Sequence, residues 1–249
     1  MIQIILHGCN GRMGKALQQM IAQRDNMQIA AGIDSYLDRE SPLRQYQSPR
    51  DCPVKGDVVI DFSNHKAVPQ LLSYCLHTQT PVIIATTALT EECKGLLLEA
   101  SAKIPVFYSA NMSLGINVLM KAIRDITPAL EDQFHVEIIE KHHSQKKDSP
   151  SGTAILLADT VNQSCRTKKQ YLYGRHGKED QCSINELGIH AVRGGTIPGE
   201  HTVLYAGPDE MIQLTHTALS RNIFAAGALK AAEFLVSQKP GLYSMQDLI

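Results

Sequence analysis

Apolar residues fall along this chain in two rhythms. From the start to about residue 107, short continuous apolar runs alternate with stretches of helical spacing. Ile2–Leu6, Met27–Ile33, Asp57–Asp61, Pro81–Ala85 and Ile104–Phe107 are predicted strands, and the segments up to Gln23, Lys66–Cys75 and Glu91–Ala102 predicted helices. Unalternating apolar strands separated by helices predict a parallel sheet covered on both faces. Ser35–Pro53, with three prolines and several charges, is expected to be a long surface loop.

The rhythm changes after Met112. Ser113–Thr127 is predicted helical, Phe134–Ile139 alternates as a strand reaching Glu140, and Ala154–Ala158 continues a helix. Arg166–Leu187 is expected to be a long charged loop. Strand-like runs follow near Gly188–Val192, His201–Ala206 and Met211–Thr217, closely enough spaced to predict antiparallel or mixed pairing. Ile223–Val236 is a last apolar helix, expected to return to the first sheet. The predicted fold is α/β: a Rossmann-type doubly wound parallel sheet from residues 1–112 and 221–249, and an α+β domain with a mixed sheet at 113–220. The two crossings between them are expected to serve as a hinge.

Two stretches carry candidate chemistry. The first joins strand to helix as Gly8-Cys9-Asn10-Gly11-Arg12-Met13-Gly14. Its glycines follow a dinucleotide-binding fingerprint with the spacing shifted by one. Gly8 allows the tight turn, Gly11 the approach of a pyrophosphate to the helix start, and Gly14 close helix–strand packing. Asp34 ends the second strand twenty residues past Gly14, where a carboxylate would accept hydrogen bonds from a ribose. Ligands of such sheets bind beyond the carboxyl ends of the strands, which brings in Ala85-Thr86-Thr87 and Ser109-Ala110-Asn111-Met112, each equally readable as a polar turn.

The second stretch is Glu140–Thr153, EKHHSQKKDSPSGT. His142 and His143 are proton carriers near neutral pH, and Lys146 and Lys147 add positive charge. The turn Ser149-Pro150-Ser151-Gly152-Thr153 has hydroxyl caps, a proline suited to a first helical turn, and a glycine. A helix start exposes unpaired N–H groups and favours an anion. The cluster is suited to holding a small anion and protonating it. A solvated basic loop before a capped helix is the plainer reading. The His-His pair lacks Cys or carboxylate partners at ligand spacing, so no metal is expected.

Composition narrows the partners. A net charge of −1 argues against nucleic acid and acidic membrane surfaces. The cysteines Cys9, Cys52, Cys75, Cys93, Cys165 and Cys182 form no C-x-x-C pair and are expected to be free thiols. With no signal-peptide pattern and no apolar run of spanning length, a soluble cytoplasmic protein is expected.

The segments GCNGRMG, DFS at Asp61–Ser63, ATT at Ala85–Thr87, SANMSLGIN at Ser109–Asn117, EKHHSQKKDSPSGTA, RGGTIPGEHTV at Arg193–Val203 and FAAGALKAA at Phe224–Ala232 resemble the 4-hydroxy-tetrahydrodipicolinate reductase family. The resemblance spans nearly the whole chain, and the HH…K…D-x-PSGTA string is highly specific to that family. It implies reduction of a dihydropyridine dicarboxylate by NAD(P)H in diaminopimelate and lysine biosynthesis. By that resemblance His142 is the proton donor and acceptor and Lys146 the catalytic lysine. His143, Ser151, Gly152 and Thr153 hold the substrate carboxylates. Gly8, Cys9, Asn10, Gly11, Arg12, Met13, Asp34, Ala85, Thr86, Thr87, Ser109, Ala110, Asn111 and Met112 contact the dinucleotide. The second domain then also serves oligomerisation, and a homotetramer is implied.

Three positions depart from the family's habit. Ser35 stands where many members have an arginine for a 2′-phosphate, Ala85 where glycine is usual, and Met112 where an aromatic often lies by the nicotinamide. Ser35 points to NADH being used as well as NADPH or better. Another two-domain NAD(P) oxidoreductase would lack the His-His-Lys string, and a non-enzymatic NAD sensor would have no use for proton carriers at an anion site.

Overall fold

The computed structural model describes residues 1–177 and 182–249. Its elements run β1 (Ile2–His7), α1 (Arg12–Ile21), β2 (Met27–Ile33), β3 (Gln45–Tyr46), β4 (Val58–Asp61), α2 (Val68–Thr78), β5 (Val82–Ile84), α3 (Glu91–Ser101), β6 (Pro105–Tyr108) and α4 (Leu114–Leu130). Then follow β7 (His135–His142), α5 (Gly152–Ser164), β8 (Gln170–Tyr173), β9 (Glu186–Arg193), β10 (Glu200–Ala206), β11 (Met211–Thr217), α6 (Asn222–Leu235) and β12 (Gly241–Tyr243). The chain divides into two units, Met1–Leu114 with Arg221–Ile249, and Gly115–Ser220.

The first unit is a seven-stranded sheet in the order β12-β6-β5-β4-β1-β2-β3, with every pairing parallel. Its continuous apolar runs follow from burial on both sides. Ile4, Leu6, Val58, Ile60, Ile83 and Phe107 pack into one core with α1 and α6, while Ile5, Val59, Val82, Ile84 and Val106 pack into another with α2 and α3. The order reverses between β1 and β4, where doubly wound sheets bind ligands. The segment expected to be wholly loop at Ser35–Pro53 instead contains β3, paired to Gly32 and Ile33, and a 3-10 turn at Pro49–Asp51. A two-residue edge strand is too short to leave a periodic signal. For the same reason β12 follows α6 without forewarning and extends the sheet beyond β6.

The second unit carries a five-stranded mixed sheet, β11-β10-β7-β9-β8. β7 lies between antiparallel β10 and parallel β9. Ile116, Leu119, Met120 and Ile123 of α4 and Ala154, Leu157, Ala158 and Val161 of α5 cover one sheet face, packing on Val136, Ile138, Ile189, Val203 and Tyr205. The opposite face is mixed: Arg175 bridges Glu137 and Glu186 at 2.8 Å each, His190 Nε2 lies 2.6 Å from Glu137, and Ile139, Val192, Leu204 and Met211 share that face. The predicted charged loop at Arg166–Leu187 holds the exposed edge strand β8 and the start of β9; residues 178–181 of that stretch lie outside the described residues. Helix α4 runs on past Thr127 through Pro128 to Leu130, with Thr127 Oγ1 bonded to Ile123 O at 2.6 Å and to Tyr205 Oη at 2.7 Å.

Candidate active site

In the first unit the glycine turn leaves β1 at the point where strand order reverses. Gly8 has φ +81°, and a Cβ there would lie 2.7 Å from Phe62 O, which follows β4. A Cβ on Gly14 would lie 2.3 Å from Gly8 O and 2.4 Å from Cys9 O, so only glycine lets α1 sit this close to the turn. Gly11 caps α1 without a side-chain bond, no acidic residue stands in its first turn, and Arg12 begins it. The first turn of α1 therefore carries no acid of its own, as a diphosphate site requires, and Gly11 N donates to Gly8 O at 3.2 Å. Asp34 lies beside them: its carboxylate accepts from Asn10 N at 2.9 Å and Tyr36 N at 3.1 Å. Asn10 and Gln45 pair through their amides, 2.9 and 3.3 Å, which ties this loop to β3. Glycine cradle, uncapped helix start and pinned carboxylate fit a dinucleotide.

The other predicted cofactor residues divide by where their side chains lie. Thr87 and Ala110 are exposed, Arg12 is exposed, and Met13 and Ser109 are half-buried. The side chains of Cys9, Ala85 and Met112 lie in the core between sheet, α1 and α6 and do not line an outer surface. Burial, with the negative charge of Asp34, pushes the Cys9 thiol up to about 12, which removes it as a nucleophile. Met112 packs where a Cβ on Gly227 of α6 would strike its carbonyl. Thr86 Oγ1 donates to Asp61 at 2.7 Å. Asp61, fully buried, also accepts from Ser63 Oγ at 2.6 Å and faces His7 Nδ1 at 2.8 Å. This His7–Asp61–Ser63–Thr86 group spans the ends of β1, β4 and β5; the sequence marked Asp61–Ser63 without assigning a role, and gave no sign of His7.

In the second unit the chemistry begins at the end of β7. Alternation turns Val136, Ile138, Glu140 and His142 inward, so a carboxylate and an imidazole end an otherwise apolar stripe. Glu140 is fully buried and completely partnered. Arg193, from β9, grips both its oxygens at 2.7 Å, Ser151 N donates at 2.9 Å, and His142 Nδ1 lies at 2.5 Å. Burial alone would raise the Glu140 pKa, but the bonds from Arg193 and His142 and the Ser151 amide outweigh it and hold it low. For His142, burial is the largest influence and lowers the pKa; Glu140 opposes it, and Lys146 and Arg193 add to the lowering.

The following turn brings the remaining predicted residues together. Lys146 N bonds His143 O at 3.1 Å, and Lys146 Nζ reaches Asp148 at 2.9 Å. Asp148 is held below the usual carboxylate range: burial opposes this, while Lys146 and the amides of Asp148 and Gly152 outweigh it. Ser151, not the predicted proline, opens the helix: its Oγ accepts from Ala154 N at 3.1 Å and makes it the N-cap of α5, and Pro150 precedes it. Ser151 Oγ also lies 2.9 Å from His201 Nε2. His201, from β10, is buried against His142 with ring centroids 5.0 Å apart, and its Nδ1 has no hydrogen-bond partner among the described residues. Burial and the neighbouring His142 push its pKa down to about 4. Gly199, at φ +155°, passes so near that a Cβ would sit 3.0 Å from His142 Nε2.

Sequence reasoning gave no role to Glu140, Arg193, Gly199 or His201. A charge interrupting the inward stripe of β7 was the available signal for Glu140. The others arrive from strands about fifty residues away, and no spacing announces them. Among the described residues no group of three or more His, Cys, Asp or Glu side chains is placed to hold a metal, and no helix is long and apolar enough to cross a membrane.

Models of the dihydrodipicolinate reductase N-terminus and C-terminus match residues 2–112 and 115–249. The chain is 50% identical over 250 residues to the 4-hydroxy-tetrahydrodipicolinate reductase of Caldanaerobacter subterraneus subsp. tengcongensis, covering 100% of this chain and 98% of that one. Against the enzyme of Clostridium novyi the identity is 45% over 249 residues, with the same coverage. A dipicolinate-bound dihydrodipicolinate reductase from Paenisporosarcina sp. TG-14 shares the fold at a TM-score of 0.82 and 22% identity, with 100% of both chains covered. With both halves matched, the seam between them falling where the apolar rhythm changes, and this identity sustained end to end, the chain belongs to the 4-hydroxy-tetrahydrodipicolinate (dihydrodipicolinate) reductase family.

Proposed function

We propose that this chain reduces 4-hydroxy-tetrahydrodipicolinate, or the dihydropyridine dicarboxylate formed by its dehydration, to tetrahydrodipicolinate for diaminopimelate and lysine synthesis. Working as a cytoplasmic homotetramer, it uses NADH at least as well as NADPH. The observation that carries this reading is the grouping of His142, Lys146 and the α5 start within the family's C-terminal half.

The amides of Gly11, Arg12 and Met13 would hold the diphosphate and Asp34 a ribose, with Gly8, Cys9 and Asn10 shaping the turn. Ala85–Thr87 and Ser109–Met112 would frame the nicotinamide end. The bound cofactor supplies hydride. Lys146 and the Gly152 amide, now turned to Asp148, are the donors a substrate carboxylate would take over, with Asp148 moving out to the solvent that already reaches 58% of its side chain. His143 and Thr153, both half-buried, and Ser151 complete that pocket edge. His142 delivers a proton from Nε2 to the atom left electron-rich by reduction, and Lys146 offsets the negative charge there.

The test follows nicotinamide absorbance while an upstream synthase supplies the substrate. Turnover that requires both the synthase product and His142 is expected. Loss of the cofactor signal without that product, or none with it, overturns the proposal.

A further inference from the structure

His142 is one of two inward groups at the end of β7, and its partner there has no task in binding. We infer that Glu140, clamped by Arg193, is a positioning residue that fixes which nitrogen of His142 carries the exchangeable proton. The inference rests on the reading of His142 as the proton donor.

Glu140 is fully buried, and all four of its contacts come from donors: two from Arg193, one from Ser151 N and one from His142. A carboxylate with a bidentate guanidinium stays ionised and only accepts. The facing nitrogen of His142 must then be N–H, so the neutral ring carries its proton on Nδ1 and presents a lone pair at Nε2. Nε2 is the side on which Gly199 leaves room, since a Cβ there would lie 3.0 Å away. Protonation adds the exchangeable hydrogen at Nε2, and delivery removes that same hydrogen. Glu140 stays negative throughout and steadies the imidazolium.

Arg193 has the second role. Register pairs it with His142 across β7 and β9, and it also donates to Asp148 O at 2.8 Å. One guanidinium therefore ties the carboxylate behind His142 to the turn that carries Lys146. Without that clamp Glu140 would be an uncompensated buried charge that could take up a proton, and an acid facing Nδ1 would no longer dictate the tautomer.

The experiment uses 15N-histidine-labelled full-length protein, first with no substitution. At a pH above the His142 transition, 15N shifts should show a protonated Nδ1 and an unprotonated Nε2; the opposite tautomer overturns the inference whatever the kinetics. Glu140→Gln removes the charge and should lower the His142 pKa further, since burial, Lys146 and Arg193 then act unopposed. Activity that needs protonated His142 is lost as pH rises through that pKa, so the alkaline limb of the kcat profile should move to lower pH, while cofactor KM changes less than about twofold. A lower kcat with an unmoved pH profile would mean that Glu140 is only structural. If Glu140→Gln does not fold, Glu140→Asp keeps the charge but shortens the reach, and should yield a mixture of tautomers; an unmixed Nδ1–H ring would refute the clamp. Failure of His142→Gln to affect turnover would sink the reading of His142 instead, and leave the tautomer result standing.

Discussion

The chain presents two helix starts behind strand ends, and they are built in opposite ways. At α1 the work falls to backbone: Gly8, Gly11 and Gly14 remove side chains, nothing caps the helix, and no internal acid faces its amides. At α5 the work falls to side chains: Ser151 caps the helix, Asp148 sits against the Gly152 amide, and a buried carboxylate with its guanidinium stands behind. The first design suits a ligand that brings its own charge and needs space. The second holds protons and charges in fixed places and keeps a stand-in anion among its donors. Under the proposed function, binding and proton transfer thus draw on different chemistry.

Removing the proposed proton carrier should have the largest effect and touch only the side-chain region. His142→Gln is expected to lower kcat about a hundredfold or more with cofactor binding intact, checked by steady-state kinetics and nucleotide fluorescence titration. Turnover near that of the unsubstituted chain would erase the distinction between the two helix starts.

Acid should next weaken the second region through His201. Its folded pKa is about 4, while an unfolded histidine titrates near about 6.5. Between those values the unfolded chain binds more protons, so stability falls as pH drops through the window, by on the order of 3 kcal/mol in all. Denaturant titrations at stepped pH test this, and His201→Gln should flatten the slope. A stability curve level across that interval would contradict it.

At the other helix start, Gly14→Ala places a methyl against two carbonyl oxygens, an overpacking that costs roughly 1–3 kcal/mol. Cofactor KM should rise about tenfold, while the His142 15N shifts stay put. Movement of those shifts would show that the two regions are not separable.

The smallest change concerns nucleotide preference. Asp34 repels a 2′-phosphate, Ser35 offers a hydroxyl in place of a cation, and Arg44 is held over the Tyr46 ring at 5.4 Å. NADH should be favoured over NADPH by less than about tenfold, the scale of exposed charge pairs, and Ser35→Arg should move the ratio toward NADPH. A tenfold or greater preference for NADPH in the unsubstituted chain would mean that Arg39 or Arg44 engages the phosphate.

The contrast also explains what the sequence could disclose. A backbone site is written in local spacing: Gly8, Gly11, Gly14 and Asp34 sit at intervals fixed by one strand–helix–strand unit, so the turn is legible from residue order alone. His142, Lys146 and Ser151 are equally visible because one turn holds them. Arg193 and His201 enter through register across the mixed sheet, β9 and β10 each pairing with β7, and register is set by packing over the whole unit. The short strands β3, β8 and β12 were illegible because two to four residues at a sheet edge have no period to detect. Met112 and Ala85 show the converse: motif position marked them as cofactor contacts, but the side chains serve the core.

The return of α6 and β12 to the first sheet has a consequence for synthesis. Ala225, Ala228, Leu229, Ala232 and Leu235 fill the core beneath β1, β4 and β5, and Gly241–Tyr243 completes the edge beyond β6. A ribosome emits residues 1–114 first, yet their sheet lacks one covering helix until the whole intervening unit has been made. The nascent first unit therefore waits with an apolar face uncovered while Gly115–Ser220 is made, the kind of transient exposure that promotes aggregation during translation.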